Sequence, residues 1–211
     1  RLGDFYELFY EDAVVAAREL QITLTARHRE RGQPVPMCGV PYHAAENYIA
    51  RLLRAGHKVA VCEQLEEPSK SKKLVRRDVV RVITPGTATE TLVLEARENN
   101  FLAAVAGTAS PSARADATFG LAYVDVSTGE FRATEFSGPQ ALVKLRDELG
   151  VLAPRELLLA QPTHLFAHAR LELDGLHTTI TRLEEWVFAP DYASRLLREQ
   201  FGVAVLSGFG L

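Results

Sequence analysis

The sequence predicts an α/β protein built from two domains. Its 211 residues are enough for two domains that each bury a core of their own. Apolar residues recur at helical spacing in some segments and run together or alternate in others, which indicates helices mixed with strands. A Pro-Gly turn followed by a polar stretch separates two halves that differ in the order of their predicted strands and helices. We therefore place a first domain at 1–84, a linker at 85–97 and a second domain at 98–211.

The first domain mixes short strands with two helices. Apolar residues at helical spacing predict helices at 11–20 and 44–56, with Gly56 where a helix usually ends. Residues 27–34 are polar and end in Gly-Gln-Pro, which predicts a turn, and the prolines of 35–42 predict an extended or irregular segment. Runs of β-favouring residues predict strands at 22–25, 58–64 and 74–84.

The second domain begins with three strands and continues with a helix. A tight turn at 127–129 joins the second strand to the third. Helices are predicted at 139–150, with Gly150 after its end, and at 191–202, with Gly202 as its stop. Three strands, a helix and a fourth strand follow the order of ribonuclease H-like folds, so we predict a ribonuclease H-like α/β domain. The strands are predicted at 99–107, 118–126, 129–136, 156–160 and 177–183.

Composition and motifs exclude several classes of protein. The contents of 47% hydrophobic and 24% charged residues are typical of a globular protein. Neither an apolar run of transmembrane length nor a signal-peptide pattern occurs, so we expect a cytoplasmic protein with no membrane partner. Cys38, Cys62, His28 and His43 match no zinc-ligand spacing, and we predict no metal site. The chain carries no P-loop motif and begins with Arg1, so we expect a fragment of a longer protein.

Carboxylates in the second domain raise the possibility of a nuclease. Enzymes with a ribonuclease H-like fold place several carboxylates around two metal ions. The first strand of this domain contains no acid, and Asp125 stands almost alone on the second. We therefore predict that this chain holds no catalytic residue. A metal-dependent nuclease remains one alternative, and a module that only binds partner proteins is another.

A basic run near the end of the first domain has two interpretations. Its cations are Lys70, Lys72, Lys73, Arg76, Arg77 and Arg81. In one interpretation they neutralise the phosphates of a nucleic acid, which releases counterions and makes binding depend on salt. In the other, they are solvated charges that protect an exposed edge strand from pairing with another chain. The sequence supports both equally.

An aromatic residue and an acid lie two positions apart in the segment GDFYEL. If residues 3–8 form a strand, Phe5 and Glu7 share one face, whereas in a helix they point in nearly opposite directions. Phe5 alone is explained by a core position. Burying Glu7 beside it is costly unless that acid has a partner. On a ligand-facing surface the pair has a use, because a ring stacks on bases and a carboxylate hydrogen-bonds their edges.

Long stretches of the sequence resemble the bacterial MutS family of DNA mismatch-recognition proteins. In the first half the resemblance is carried by GDFYELFYEDA, PMCGVPYHAAENYIARLLRAGHKVAVCEQ and VVRVITPGT. In the second half, YVDVSTGEF and FGVAVLSGFG resemble the connector domain of the same family. The resemblance therefore implies a small mixed α/β mismatch-binding domain followed by a ribonuclease H-like connector domain.

The resemblance also implies roles for individual residues. The family's F-x-E mismatch reader falls on Phe5 and Glu7, so Phe5 is expected to stack on a mispaired base in kinked duplex DNA while Glu7 hydrogen-bonds that base. Arg27, Pro36 and Met37 are expected to contribute secondary DNA contacts. For the full-length protein the resemblance implies a homodimer, a MutL-type partner engaged through the connector domain, and ATP with Mg²⁺ bound outside this chain. We expect no cofactor in the chain itself.

Overall fold

A computed structural model describes residues 1–30, 33–66, 75–89, 99–110, 113–161 and 177–210 of the chain. Contacts between Cα atoms divide the chain into two compact units, 1–99 and 100–211. Both units mix strands with helices, which confirms the predicted α/β class. No helix in the described ranges is long and apolar enough to cross a membrane.

The first unit combines a three-stranded sheet, a two-stranded sheet and two helices within its described residues. The strands are β1 (Phe5–Phe9), β2 (Thr25–Glu30), β3 (Gln33–Pro41), β4 (Val59–Gln64) and β5 (Arg77–Ile83), and the helices are α1 (Tyr10–Leu20) and α2 (Ala45–Arg54). The larger sheet is antiparallel with the order β1-β3-β2, and β4 pairs antiparallel with β5.

Helix α1 covers one face of the three-stranded sheet. Its buried residues recur every three or four positions, so they form a single apolar stripe. This stripe packs against Cys38 and Val40 of β3, with Leu52 of α2 in the same cluster. Both α1 and α2 therefore pack on the face of the sheet that carries Cys38 and Val40. The stripe consists of Ala13, Ala16, Ala17 and Leu20.

Helix α2 ends at the glycine that the sequence indicated. Gly56 adopts the left-handed conformation with φ of 83°. Its N–H donates to the carbonyl of Leu53 at 2.9 Å, and the N–H of His57 donates to Leu52 at 3.0 Å. These two bonds are those of a Schellman motif, which satisfies carbonyls at the end of a helix. The predicted role of Gly56 is confirmed.

Two local predictions in the first unit are wrong. Residues 27–30 and 33–34 belong to strands and not to a turn, because β2 extends to Glu30 and β3 starts at Gln33; the strand predicted at 22–25 contributes only Thr25. The charged side chains of β2 suggested a turn, but an edge strand tolerates charge on both faces. Hydrogen bonding to β3 makes this segment a strand, and the residues of the segment do not indicate that pairing by themselves.

Prolines inside β3 fit the way in which that strand is paired. Pro34 and Pro36 lie in the half of β3 that pairs with β2 alone, whereas pairing with β1 begins only at Met37. Proline is tolerated in a sheet where one side of the strand has no neighbour. Residues beyond β5 also pack within this unit: Ala88, at the start of the predicted linker, is buried with Ile83 in a cluster around α2.

The second unit has the strand order of a ribonuclease H-like fold. Its sheet runs β10-β9-β6-β7-β8, with β6, β7 and β8 antiparallel and β9 and β10 parallel to β6. This arrangement confirms the predicted fold class. The elements are β6 (Phe101–Ser110), β7 (Ala113–Asp125), β8 (Glu130–Ser137), α3 (Ala141–Leu152), β9 (Glu156–Gln161), β10 (Thr179–Glu184) and α4 (Pro190–Phe201).

Helix α3 provides the core of this unit and ends later than predicted. Its residues Ala141, Leu145 and Leu149 are buried against the leucines and valine of β6, β7 and β9. The helix continues through Gly150, which the sequence analysis wrongly placed after its end. It stops at Ala153, with φ of 44°, because the following proline disfavours a helical conformation there. Helix α4 does end at Gly202, as predicted.

Candidate nucleic-acid interface

Strand β1 presents its side chains alternately to the two faces of the three-stranded sheet. Phe5 pairs with Pro41 and Glu7 pairs with Gly39, so the ring and the carboxylate lie on the same face, away from α1. We call this the open face, defined by Phe5, Glu7, Gly39, Met37 and Arg27. The Phe5 residue is 47% exposed and therefore is not a core aromatic in this unit. The structure brings Phe5 and Glu7, the two proposed reader residues, together on one face of the sheet.

Gly39 leaves bare backbone between the ring and the acid. A Cβ atom at Gly39 would lie 3.7 Å from Cγ of Glu7, 3.7 Å from Cδ1 of Phe5 and 3.4 Å from the carbonyl oxygen of Tyr6. Those distances correspond to ordinary contact for one methyl group, and a longer side chain would press between Phe5 and Glu7. The absent side chain therefore keeps the space between the two reader residues open.

Arg27 forms an ion pair with Glu7 across the sheet. Its Nη1 atom lies 2.8 Å from Oε2 and 3.1 Å from Oε1 of the carboxylate. The Glu7 side chain is 14% exposed and the Arg27 side chain 47% exposed. Sequence reasoning assigned both residues to DNA but missed this contact, because it interpreted residues 27–34 as a turn. Strand alternation across β2 and β3 is the signal that reveals it.

Pro36 and Met37, the other residues predicted to contact DNA, lie on opposite faces of the sheet. Met37 pairs with Phe9 on one side and with Thr25 on the other, which places Met37 on the open face. Pro36 precedes it and alternates to the opposite face, the side of Cys38. Of these two residues, only Met37 therefore lies beside the reader pair.

Tyr6 lies on β1 and points to the face of the sheet opposite Phe5 and Glu7. Its ring packs into the clusters beneath the sheet, together with Leu8 in one of them. The Tyr6 hydroxyl donates a hydrogen bond to the carboxylate of Glu63 on β4. Burial, this hydrogen bond and the negative charge of Glu63 raise the pKa of Tyr6 to about 12. Tyr6 therefore ties β1 to the second sheet in the neutral state of its hydroxyl.

Replacing Tyr6 with phenylalanine is expected to lower the free energy of unfolding by about 1 kcal/mol, the usual contribution of one hydrogen bond. The raised pKa sets the pH window of this contribution. The stabilisation is complete below the ordinary tyrosine pKa of about 10 and is lost as the pH rises toward 12. Urea unfolding followed by circular dichroism, at neutral pH and across this window, measures the difference.

Tyr48→Phe is the matched control for that experiment. Tyr48 is partly buried against the same apolar cluster as Tyr6. Its replacement with phenylalanine also removes one hydroxyl group from a partly buried tyrosine. Equal losses of stability in the Tyr6→Phe and Tyr48→Phe variants at neutral pH would contradict the assigned role of the Tyr6 hydrogen bond.

The basic run is described only in part. Lys70, Lys72 and Lys73 lie outside the described residues, and their predicted role stays a prediction. Arg76 is exposed. Arg77 is exposed as well. Its side chain donates to the backbone carbonyls of Arg1 and Val75, at 3.2 Å each. Strand β5 pairs with β4 alone in the described part of the chain, so contact with phosphates and protection of an edge strand both remain open.

Two buried carboxylates of the second unit do not converge on one site. Asp125 pairs with Phe101 of β6 and Glu156 pairs with Leu102, so strand alternation directs the two acids to opposite faces of the sheet. Glu156 accepts a hydrogen bond from the hydroxyl of Thr181. A two-metal centre needs carboxylates that meet around the ions. This geometry gives no support to the nuclease hypothesis.

Asp125 has a structural role at the turn between β7 and β8. Its Oδ1 atom accepts hydrogen bonds from the N–H of Ser127 at 2.9 Å and from the Ser127 hydroxyl at 2.6 Å. Burial raises the pKa of Asp125, but the hydrogen bonds from Ser127, Asn100 and Thr128 outweigh burial and bring the pKa below its ordinary value. The carboxylate is thus held ionised as the acceptor of this turn.

The cysteines and histidines that were weighed as zinc ligands have other surroundings where their side chains are described. The thiol of Cys38 is buried and lies 3.5 Å from the carbonyl oxygen of Ala13, and burial raises its pKa. The ring of His43 packs edge-on against Tyr42. The described part of the chain contains no group of three or more His, Cys, Asp or Glu side chains arranged to hold a metal ion.

Comparisons with known proteins match both units. A family model described as MutS domain I matches residues 1–91, and one described as MutS domain II matches residues 100–211. The chain is 52% identical over 211 residues to the DNA mismatch repair protein MutS of Solibacter usitatus, covering 100% of the chain and 23% of that protein. It is 45% identical to the protein of that name from Syntrophomonas wolfei and 44% identical to the one from Methanosarcina acetivorans, covering 100% of the chain and 24% of each protein. The chain therefore spans about a quarter of the length of these relatives.

Proposed function

Because the chain belongs to the MutS family and spans its domains I and II, we propose that its first unit binds mispaired or unpaired bases in duplex DNA and so initiates mismatch repair. The observation that carries this proposal is the open face, where the half-exposed ring of Phe5 lies beside the carboxylate of Glu7. An exposed aromatic next to an acid suits a base, which offers a flat apolar surface and hydrogen-bonding edges.

Phe5 acts as a wedge in this proposal. An apolar ring that enters the minor groove separates neighbouring bases and kinks the duplex, at a cost of a few kcal/mol for each unstacked step. A mismatched pair is easier to unstack and to bend than a correct pair, so the wedge enters more readily at a lesion. Phe5 would therefore read how easily the DNA deforms rather than its sequence.

Glu7 adds a contact to the base. A carboxylate repels phosphates, so its useful place in a DNA complex is at a base edge and not along the backbone. It accepts a hydrogen bond from a base N–H when ionised, and donates one to a purine N7 after taking up a proton. Arg27 and Met37, which share the open face, supply further contacts to the DNA in this proposal.

The functions of the whole protein are proposals that rest on the family. We propose a homodimer that carries out ATP-dependent mismatch repair, with ATP and Mg²⁺ bound by parts of the protein outside this chain. The second unit, 100–211, is the proposed connector and the proposed docking site for a MutL-type partner. Its buried carboxylates Asp125 and Glu156 serve the fold in this proposal, so the chain contributes no catalytic group.

A direct binding comparison tests the proposed function. The full-length protein is titrated with a duplex that contains one mismatch and with the same duplex fully paired, and fluorescence anisotropy gives a Kd for each. We expect tighter binding to the mismatched duplex. Equal Kd values for the two duplexes across several mismatches and salt concentrations would refute the proposal.

Glu7→Gln is expected to retain or improve binding to both duplexes while reducing the preference for the mismatched one. Removing a negative charge near phosphates favours binding in general, whereas losing one base-specific hydrogen bond of about 0.5–1.5 kcal/mol reduces the preference about two- to tenfold. The measurement is the ratio of the two Kd values in the variant and in the wild type.

Glu46→Gln is the matched control for Glu7→Gln. Glu46 also pairs with an arginine, Arg81 at 3.0 Å, but it lies on α2 and outside the open face. The control makes the same change in charge and breaks a comparable ion pair, and it is expected to leave the preference unchanged. Weaker binding of Glu7→Gln to both duplexes with an unchanged ratio of Kd values would contradict the proposed role of Glu7.

A further inference from the structure

The ion pair on the open face occupies the carboxylate that is proposed to read the base. Both oxygens of Glu7 lie within hydrogen-bonding distance of a single nitrogen of Arg27, at 2.8 and 3.1 Å. A base edge that approaches Glu7 therefore competes with Arg27 for the same oxygens. Resting on the proposed function, we infer that Arg27 is a positioning residue that holds Glu7 ready in the free protein and releases it when Arg27 contacts a DNA phosphate.

The carboxylate of Glu7 is held by its ion pair with Arg27. Gly39, its neighbour on β3, places no side chain between Glu7 and Phe5. Glutamate has three rotatable bonds and loses considerable freedom when fixed. Arg27, reaching over β3 from β2, supplies two charge-assisted contacts to its carboxylate. The ion pair therefore restrains the carboxylate of Glu7, whose side chain is 14% exposed.

A phosphate offers Arg27 an alternative acceptor. The guanidinium group binds phosphate in the same forked geometry as carboxylate, and the half-exposed Arg27 side chain is accessible to a DNA backbone that approaches the open face. When Arg27 turns to a phosphate, Glu7 loses its cation beside a polyanion. Its oxygens are then free to hydrogen-bond the edge of the base.

This exchange links the contact of Arg27 with a phosphate, which does not depend on sequence, to the contact of Glu7 with a base. On a fully paired duplex Phe5 does not enter, the backbone stays farther from the sheet and the ion pair remains closed. At a mismatch the kinked backbone reaches Arg27, and Glu7 is released at the moment when a base is within its reach. Arg27 and Glu7 therefore contribute to discrimination as one unit and not as two independent contacts.

A double-mutant cycle tests this coupling in the full-length protein. Kd values for mismatched and paired duplexes are measured over a range of salt concentrations for wild type, Glu7→Gln, Arg27→Gln and the double variant. Arg27→Gln is expected to reduce the preference for the mismatch about two- to tenfold, as Glu7→Gln does. In the Glu7→Gln background, the same change is expected to alter the preference less than about twofold. It should then only weaken binding to both duplexes and reduce the salt dependence by about one phosphate contact.

Two further variants separate positioning from simple loss of charge. Arg27→Lys keeps the cation and one acceptor contact, so it is expected to restore part of the preference that Arg27→Gln loses. Arg18→Gln removes the same charge from α1, on the covered side of the sheet, where Arg18 pairs with Glu19 at 3.0 Å. This control is expected to leave the preference unchanged, and circular dichroism verifies that every variant is folded.

Each result has a defined meaning for the inference. If the two substitutions reduce the preference by factors that multiply in the double variant, Arg27 and Glu7 act independently and the inference is overturned, while the proposed function stands. If wild type shows no preference for mismatched DNA, the proposed function itself fails and the inference fails with it. Full preference in the Arg27→Gln variant also overturns the inference.

Discussion

The Phe5→Ala variant is expected to lose most of its preference for mismatched over paired DNA. Base–aromatic stacking contributes about 1–3 kcal/mol per base, so the ratio of the two Kd values should fall by roughly 5- to 150-fold. The loss should appear chiefly as weaker binding to the mismatched duplex, because under the proposed function Phe5 inserts only there. Because the Phe5 residue is 47% exposed, its truncation removes little packing and leaves the fold intact.

Two comparisons make the Phe5 experiment specific. Phe131→Ala removes an equally exposed phenylalanine, at 49%, from β8 of the second unit, and it is expected to leave the preference unchanged. Phe5→Leu keeps apolar bulk but lacks an aromatic face, so it is expected to retain part of the wedge and lose the stacking. Unchanged discrimination by Phe5→Ala in the full-length protein would show that the wedge is misassigned.

Leu145→Ala is expected to destabilise the second unit by about 2–5 kcal/mol, the range for removing a fully buried leucine side chain. Leu145 is 1% exposed and lies at the centre of the cluster between α3 and the sheet. The sequence contains a single tryptophan, Trp186, which follows β10 in the second unit. Tryptophan fluorescence during urea unfolding therefore reports this unit separately from the first.

Val143→Ala, on the same helix, is the control for the core substitution. Val143 is 47% exposed, so its truncation leaves no cavity and should change the free energy of unfolding by no more than about 0.5 kcal/mol. Comparable losses in the Leu145→Ala and Val143→Ala variants would mean that α3 does not pack on the sheet through the face that contains Leu145.

Local sequence patterns were sufficient for most elements and for the class of the second unit. The spacing of leucines in α3 and the short apolar strands around it indicate a helix on a sheet, and the order of these elements is confirmed in the strand order of the sheet. The same reasoning failed where packing around a residue outweighed that residue's own conformational preference. Gly150 lies inside α3 because packing continues to Leu149 and the break comes from the proline after Ala153.

The candidate site shows a similar division. Strand alternation places Phe5 and Glu7 on one face from their spacing alone, and the structure has β1 at Phe5–Phe9. It did not reveal that Arg27 occupies the carboxylate of Glu7, because that contact requires β2 to be a strand and to lie next to β3. The predicted DNA contacts at Lys70, Lys72 and Lys73 stay predictions, since these residues lie outside the described ranges.

The sequence by itself determined the α/β class, the helix that ends at Gly56 and the spacing that pairs an aromatic with an acid. These features depend on residues near one another in the chain, where period, glycine and proline act locally. Only the tertiary structure decided that charged residues 25–30 are a strand, that Tyr6 is anchored by Glu63 and that Glu7 is held by Arg27. Each of those depends on partners that folding brings together from distant parts of the sequence.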